Sequence, residues 1–494
     1  MIDRRQFVLG SAAAAALVAA GCSTPPTSPV NTPETPRLDP SRHQLITRTP
    51  PADGVLPPGP EGALVASRAL LAAATIVGIV APDADATGPA EIARALGVPL
   101  LVNSPELPAE LNRLQTRTVL SWVENLDVGE REVIGAPTSA DALSLDGLPL
   151  APPANDVLVL AAEEPSDVVG ATLSAAGLEP TRTPGPLPGG DAATTALVRS
   201  HDGRVLGVGA ALGTDADYAA QVTVTRSAAE LPGGGIAPLP GHHMIALYGH
   251  PETAALGMLG EQSPAASVER VQRLVDAYAG LVTDVTFMGA FEIIATVASS
   301  GAGDRGDYSY RTPLDKLVPW LDAAEAAGLY VVLDLQPGRT DFLTQAKEYA
   351  DLLVRPHVGL ALDPEWRLAP DGRHLRSIGQ VHVDEVNAVG NWLADFITEH
   401  RLPPKVLTLH QFQTRMIVER DRLDTTRPQV QYLVHVDGQG SQPAKQGTWE
   451  VIKRDLPERS WLGWKNFEDE DTPMLTPAQT VAQVDPLPHF ISYQ

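Results

Sequence analysis

The sequence predicts an α/β protein in which a Rossmann-like parallel α/β module precedes a (β/α) barrel-like domain. Two observations support this prediction. From about residue 62 onward, short apolar runs bounded by Gly, Pro and Asp alternate with helical stretches, as they do in parallel α/β proteins. Six of the seven Trp residues lie after residue 300, which indicates that the two halves of the chain have different roles.

The N-terminus is expected to be an export signal. Its apolar stretch, residues 7–20, is too short to span a bilayer. Arg4–Leu9 resembles a twin-arginine export signal, and Ala19–Cys22 resembles a lipobox. These resemblances imply a signal over residues 1–22, lipidation of Cys22, and an anchor on the outer face of the cytoplasmic membrane. The alternative is that Cys22 is an incidental residue near an ordinary cleavage site.

Composition limits the partners and cofactors. Residues 23–60 are rich in Pro, Ser and Thr and are predicted to be a disordered tether. The formal net charge of −24 argues against nucleic acid or anionic lipid as a partner. With a single cysteine, the chain can form neither an internal disulfide nor a multi-thiolate metal site. We expect no cofactor and no metal.

The first half, residues 61–235, is predicted to be the parallel α/β module. Val77–Ala81, Ala90–Leu96 and Gly97–Val102 form a strand, helix, strand unit. This unit resembles the bacterial cell-wall-binding repeat type 2, with a second, degenerate copy between about 150 and 215. The resemblance implies a wall polymer as partner. A Rossmann-like module that has kept no ligand is the alternative.

The second half, residues 240–494, is predicted to be the barrel. Amphipathic helices separate several strand-like runs, and the length suits a (β/α) barrel. Because an eighth strand is not evident, a seven-stranded or distorted barrel stays open. The seven predicted strands are Met244–Tyr248, Thr286–Phe291, Tyr330–Leu335, Val358–Leu362, Val406–Leu409, Val430–Val436 and Trp461–Trp464.

Polar or aromatic residues stand at the end of every predicted barrel strand. The carboxyl ends of parallel strands converge on one mouth, so these side chains are expected to face each other. Buried carboxylates placed together raise each other's pKa, which is typical of catalytic sites. The residues are His250, Glu292, Asp334, Gln336, Asp363, Glu365, Trp366, His410, Gln411, His435, Asp437, Trp464 and Lys465.

The acids at these strand ends suggest glycoside hydrolysis, which needs a carboxylic acid and a second carboxylate. Glu365 is the predicted acid, and Trp366 or Trp464 the sugar platform. The second half of the chain resembles glycosidase barrels in these acids and aromatic residues at the strand ends. The candidate partner carboxylates are Asp334, Asp363 and Asp437. The predicted substrate-binding residues also include His250, Glu292, Gln336, Arg339, His410 and His435.

Two other functional classes stay open. A non-catalytic surface protein would bind cell-wall glycan with the same barrel. A metal-dependent hydrolase would use His250, His410, His435 and Asp437, but such barrels usually carry a His-x-His pair on the first strand, which this chain lacks.

Single segments also have purely structural interpretations. In these interpretations Asp334 belongs to a helix-capping loop, Asp363 forms an Asx turn with Pro364, and His435 and Asp437 form a pair that braces a loop.

The whole chain is similar to exported lipoproteins that join a wall-binding-type module to a barrel-like C-terminal half. The resemblance implies location and architecture. The expectation is a surface-anchored lipoprotein that acts on, or binds, cell-envelope carbohydrate. The segments that carry it are Tyr248–Pro251, Leu259–Glu261, Asp334–Arg339, Asp363–Trp366 and His435–Gly438.

Overall fold

The computed structural model describes residues 36–494, apart from 136, 141, 142, 144–146, 152, 375 and 377. The predicted export signal and Cys22 lie outside the described residues. Leu38–Gln494 forms one compact unit. No helix in the described part of the chain has the length and apolar character needed to cross a membrane.

Ordered structure begins inside the range expected to be a tether. Strand β1 (Leu45–Thr47) pairs antiparallel with β3 (Leu71–Ala74). Strand β2 (Gly54–Leu56) pairs parallel with β10 (Arg204–Val208), and Leu56 is buried. Residues 45–56 therefore belong to the folded unit, because they supply sheet edges to the first half.

The first half contains two four-stranded parallel sheets, as expected for an α/β module. One has the strand order β5-β4-β6-β7 and the other β2-β10-β8-β9. The strands are β4 (Ile76–Val80), β5 (Leu100–Val102), β6 (Thr118–Ser121), β7 (Glu132–Gly135), β8 (Val157–Ala161) and β9 (Thr181–Arg182). The helices are α1 (Gly62–Leu70), α2 (Thr87–Leu96), α3 (Leu107–Arg113), α4 (Asp167–Ala175), α5 (Ala192–Ser200) and α6 (Asp215–Ser227).

The second half forms a closed barrel of eight parallel strands, which confirms the predicted fold class. The first barrel strand pairs with both the second and the last, and this pairing closes the ring. The barrel strands are β11 (His242–Gly249), β12 (Thr286–Ala298), β14 (Tyr330–Leu335), β15 (Val358–Leu362), β17 (Lys405–His410), β19 (Val430–Val436), β20 (Ser460–Asn466) and β21 (Phe490–Tyr493).

Strand β21 is the eighth strand that the sequence does not make evident. It has four residues, follows Pro486 and Pro488 closely, and ends one residue before the last residue of the chain. The short additional strands are β13 (Ser309–Arg311), β16 (Val381–His382) and β18 (Ile417–Val418). The helices of this half are α7 (Pro264–Ala279), α8 (Leu314–Ala326), α9 (Phe342–Glu348), α10 (Ala350–Leu353), α11 (Val383–His400), α12 (Gln442–Ile452) and α13 (Pro477–Gln483).

The alternation of side chains along each strand separates the barrel interior from the shell of helices. Outward residues such as Leu333 and Val434 join the core beneath the helices. Inward residues near the strand starts form an apolar cluster, here called the lower layer. The lower layer comprises Leu239, Met244, Met288, Tyr330, Val406, Leu433 and Phe490.

The two halves share contacts at the lower end of the barrel. Asp217 on α6 accepts hydrogen bonds from Thr398 Oγ1 at 2.9 Å and Arg427 at 2.9 Å. The Gln431 side chain accepts a hydrogen bond from Leu239 N at 2.9 Å and donates one to Leu239 O. The segment before β11 is thereby held against the lower layer.

Candidate active site at the barrel mouth

The inward positions near the strand ends carry polar side chains, here called the upper layer. All lie at the carboxyl end of parallel strands, which is the catalytic end of (β/α) barrels. All are nearly or fully buried. The upper layer comprises Tyr248, Glu292, Asp334, Asp363, His410, His435, Lys465 and Ser492.

His410 is the centre of the upper layer. Its Nδ1 lies 2.9 Å from Asp437 Oδ2, and its Nε2 lies 2.9 Å from Glu292 Oε1. Its Nε2 is also 3.9 Å from Asp334 Oδ1. Burial alone would lower the pKa of His410, but Glu292 and Asp437 outweigh burial and raise this pKa well above its ordinary value.

Glu292 contacts both histidines of the upper layer. Its Oε1 lies 3.4 Å from His435 Nδ1, in addition to its contact with His410. Burial would raise the pKa of Glu292, but His435 and His410 hold this pKa well below the ordinary range. His435 Nε2 lies 3.0 Å from Ser492 Oγ, and burial lowers the pKa of His435. Glu292 and the two histidines place one ligand-type atom each within 4.8 Å of one another.

Asp334 lies beside Tyr248 and Lys465. The Tyr248 hydroxyl donates to Asp334 Oδ2 at 2.9 Å, and Lys465 Nζ lies 3.4 Å from the centre of the Tyr248 ring. Burial raises the pKa of Asp334 to about 6, with His410 opposing the shift. Lys465 is only 4% exposed, so its charge acts in a poorly hydrated site.

Asp363 positions Glu365. Its Oδ1 accepts a hydrogen bond from Glu365 N at 3.3 Å, which caps the short 3-10 turn Pro364–Trp366. The Asx-turn interpretation of this segment therefore holds. Burial raises the pKa of Asp363 well above its ordinary value. Burial and then the charge of Asp437 raise the pKa of Glu365 to about 7, and this side chain is partly exposed.

Asp437 directly follows β19 and lies closer to solvent than the deepest acids. It is 9% exposed, whereas Glu292 and Asp334 are fully buried. Burial would raise its pKa, but the hydrogen bond from His410 and the charges of His410 and Lys465 together outweigh burial and lower this pKa. Glu365 and Asp437 are thus the acids of this group with the best access to the mouth.

Trp464 is not a sugar platform. It is 1% exposed, its ring lies 5.7 Å from that of Trp449 on α12, and its Nε1 donates to Asn466 Oδ1 at 2.9 Å. The reason is the strand period of two: Lys465 points inward, so Trp464 points outward beneath the helices.

Gln336 and His250 are occupied by structural contacts. Gln336 Oε1 accepts from Ala298 N at 2.9 Å, and this bond joins the end of β14 to that of β12. His250 Nε2 lies 3.0 Å from Thr312 Oγ1, and its Nδ1 accepts from Glu252 N at 3.2 Å. His250 is therefore outside the cluster that His410 organises.

Arg339 and Trp366 lie on loops at the carboxyl ends of their strands. The Arg339 guanidinium stacks on the Tyr308 ring at 4.4 Å and donates to Gly372 O at 3.0 Å. Trp366 is partly exposed, and its ring lies 5.4 Å from that of His374. Trp366 thus stays partly accessible, as a sugar platform requires.

Sequence reasoning passes over Tyr248 and Ser492 as site residues and names Lys465 only as a strand end. A period-two signal was available for Tyr248, because Met244 and Ala246 precede it on the inward face of β11. Ser492 has no such signal, because the sequence does not make its strand evident.

Neither a protein-family model nor a curated protein sequence matches this chain.

Proposed function

We propose that the protein hydrolyses glycosidic bonds in cell-envelope carbohydrate, with Glu365 as general acid and Asp437 as the second carboxylate. The observation that carries the proposal is the convergence of five acids on the mouth of one barrel, of which Glu365 is partly exposed and Asp437 is the next most exposed. Glycosidases use such a pair on opposite sides of the scissile bond.

Glu365 suits the role of the acid. Its backbone is fixed by Asp363, and its side chain reaches the mouth from the loop after β15. With a pKa of about 7, the carboxyl is partly protonated at neutral pH and donates its proton to the leaving glycosidic oxygen.

Asp437 suits the role of base or nucleophile. His410 holds Oδ2, whereas Oδ1 is buried and has no hydrogen-bond partner among the described residues. A carboxylate with one oxygen oriented and the other free can activate water or attack the anomeric carbon.

The substrate class rests on Trp366 and on the N-terminal resemblances. The indole of Trp366 follows Glu365 directly and offers an apolar face for a sugar ring. The lipobox and the wall-binding resemblance support a cell-envelope polymer as the source of that sugar.

The test is release of new reducing ends from isolated cell-envelope polysaccharide. We expect release by the parent protein and a loss of roughly 100-fold or more in Glu365→Gln and in Asp437→Asn. The matched control is Glu399→Gln, an exposed glutamate near the end of α11.

No release by the parent, together with retention of the protein on the polysaccharide, would replace the proposal with non-catalytic glycan binding. Equal activity in Glu365→Gln and the parent would exclude Glu365 as the acid.

A further inference from the structure

We propose that Glu292, His410 and His435 bind a divalent transition-metal ion on the floor of the barrel mouth, with Asp334 as a fourth ligand. The proposal concerns the residues beneath Glu365 and Asp437. It stands whether or not the barrel hydrolyses glycans.

The distances suit a shared ion. Glu292 Oε1 lies 2.9 Å from His410 Nε2 and 3.4 Å from His435 Nδ1. Asp334 Oδ1 lies 3.9 Å from His410 Nε2. Two ligands on one ion, each at about 2.0–2.2 Å from the metal, are roughly 3 to 3.5 Å apart. The atoms of Glu292, His410 and His435 lie within 4.8 Å of one another, so side-chain adjustments would bring these three onto one centre. Asp334 Oδ1 must move toward them to become the fourth ligand.

The same cluster contains buried acceptor atoms that need a partner. Within the described part of the chain, Glu292 Oε2, Asp334 Oδ1 and His435 Nδ1 make no hydrogen bond, and their residues are fully buried. Buried polar atoms in native proteins are almost always satisfied. An ion at this position would satisfy atoms of all three residues.

The outer contacts of the histidines are those of metal ligands. His410 uses Nδ1 for Asp437, and His435 uses Nε2 for Ser492. In each ring the other nitrogen faces Glu292. Metal-bound histidines commonly anchor the remote nitrogen to a carboxylate or another polar group, which fixes the ring orientation.

A protonated His410 between two carboxylates is the competing explanation. It accounts for the contacts of His410 with Glu292 and Asp437. Among the described residues it leaves Glu292 Oε2 and Asp334 Oδ1 without a hydrogen bond, and His435 Nδ1 with only the 3.4 Å contact to Glu292 Oε1, so the metal explains more of the cluster.

The ligand set indicates the kind of ion. Two imidazoles and two carboxylates favour Zn²⁺, Mn²⁺ or Co²⁺ over Mg²⁺ and Ca²⁺, which prefer oxygen ligands alone. The set includes Glu292 from β12, whereas His250, considered from the sequence as a metal ligand, lies outside it.

The test uses full-length, tag-free protein stripped with a chelator and titrated with Zn²⁺ and, separately, Mg²⁺ by calorimetry. We expect one Zn²⁺ per chain, much weaker Mg²⁺ binding, and loss of the Zn²⁺ site in Glu292→Gln and in His435→Gln. Asp437 does not bind the ion but contacts the remote nitrogen of His410, so Asp437→Asn should weaken Zn²⁺ binding by roughly 10- to 100-fold.

Two controls keep the test decisive. His250→Gln, a buried histidine outside the cluster, should bind Zn²⁺ like the parent. The visible spectrum of the Co²⁺-loaded parent reports nitrogen and oxygen ligation without any substitution, in case a variant does not fold.

Failure of this proposal is distinguishable from failure of the glycosidase proposal. Glu365→Gln should bind Zn²⁺ like the parent, whatever its activity. Absence of Zn²⁺ binding by the parent, or binding unchanged in both Glu292→Gln and His435→Gln, would overturn the metal site.

Discussion

The two layers of the barrel interior are built by the same strands but have opposite chemistry. The lower layer is apolar, and its tyrosine is satisfied: the Tyr330 hydroxyl accepts a hydrogen bond from Val406 N at 3.1 Å. The upper layer crowds carboxylates together, and within the described residues it holds buried acceptors without partners. The comparison separates the residues that stabilise the barrel from those that make it reactive.

This separation has an energetic meaning. Close-packed apolar side chains stabilise the folded state. Ionisation of an acid whose pKa is raised in the folded protein destabilises that state. Truncating a lower-layer side chain should therefore lower the stability, whereas neutralising an acid of raised pKa at the mouth, such as Glu365, should increase it at alkaline pH.

The largest effect is expected in the lower layer. Phe490→Ala removes a fully buried ring and leaves a cavity, so we expect the free energy of unfolding to fall by about 3–5 kcal/mol. Urea unfolding measures the change. Tyr310→Ala, on an exposed aromatic, should alter the stability little. Equal effects of the two substitutions would contradict the role of the lower layer.

In the mouth, Glu365→Gln should stabilise the protein at alkaline pH. The folded-state pKa of Glu365 is raised from 4.5 to about 7, so ionisation of this group costs stability progressively as the pH rises between those values. We expect a gain on the order of 1–2 kcal/mol at about pH 8 and no gain near pH 4. Urea unfolding at both pH values checks this, and a variant destabilised at about pH 8 would refute it.

The same group sets the alkaline limb of hydrolysis. Since the acid must be protonated, kcat/KM should fall above about pH 7, approaching tenfold per pH unit, while the charged neighbours shift the midpoint. A pH–rate profile tests this, and activity constant between about pH 6 and 9 would exclude the assignment. The charged and titratable neighbours of Glu365 are Asp334, Asp363, His410, Asp437 and Lys465.

The smallest effect is expected at the rim. Trp366→Ala should raise KM several-fold with little change in kcat, because a stacked ring contributes about 0.5–1.5 kcal/mol to binding. Steady-state kinetics on a soluble oligosaccharide measures this effect. Trp392→Ala, on a half-buried indole of α11, should leave KM unchanged. An unchanged KM in Trp366→Ala would remove Trp366 from the substrate site.

Sequence patterns predict the barrel and much of its upper layer. Asp334, His410 and His435 each end an apolar run. The carboxyl ends of parallel strands lie at the same end of the barrel, so the pattern places these residues at the mouth. The prediction for Trp464 is wrong, because a position at the end of a strand does not tell which face of the strand a side chain occupies. Side chains alternate between the two faces of a strand, so Lys465 points into the barrel and its neighbour Trp464 points out of it.

Other features depend on the closed fold itself. The contact between His410 and Glu292 joins residues 118 apart in the chain, and only the curvature of the barrel brings them together. His250 leaves the mouth because Gly249, at φ 150°, turns the chain after β11. Neither effect can be read from local composition.

The hydrogen bonds between Leu239 and Gln431 bear on how this protein could be recombined. Leu239 is fully buried in the lower layer, yet it precedes the first barrel strand. A gene fusion that started the barrel at β11 would omit the side chain that fills its lower end and leave the Gln431 amide unpaired. The two halves therefore cannot be exchanged as separate units. Any replacement of the first half must keep residues 236–241 with the barrel.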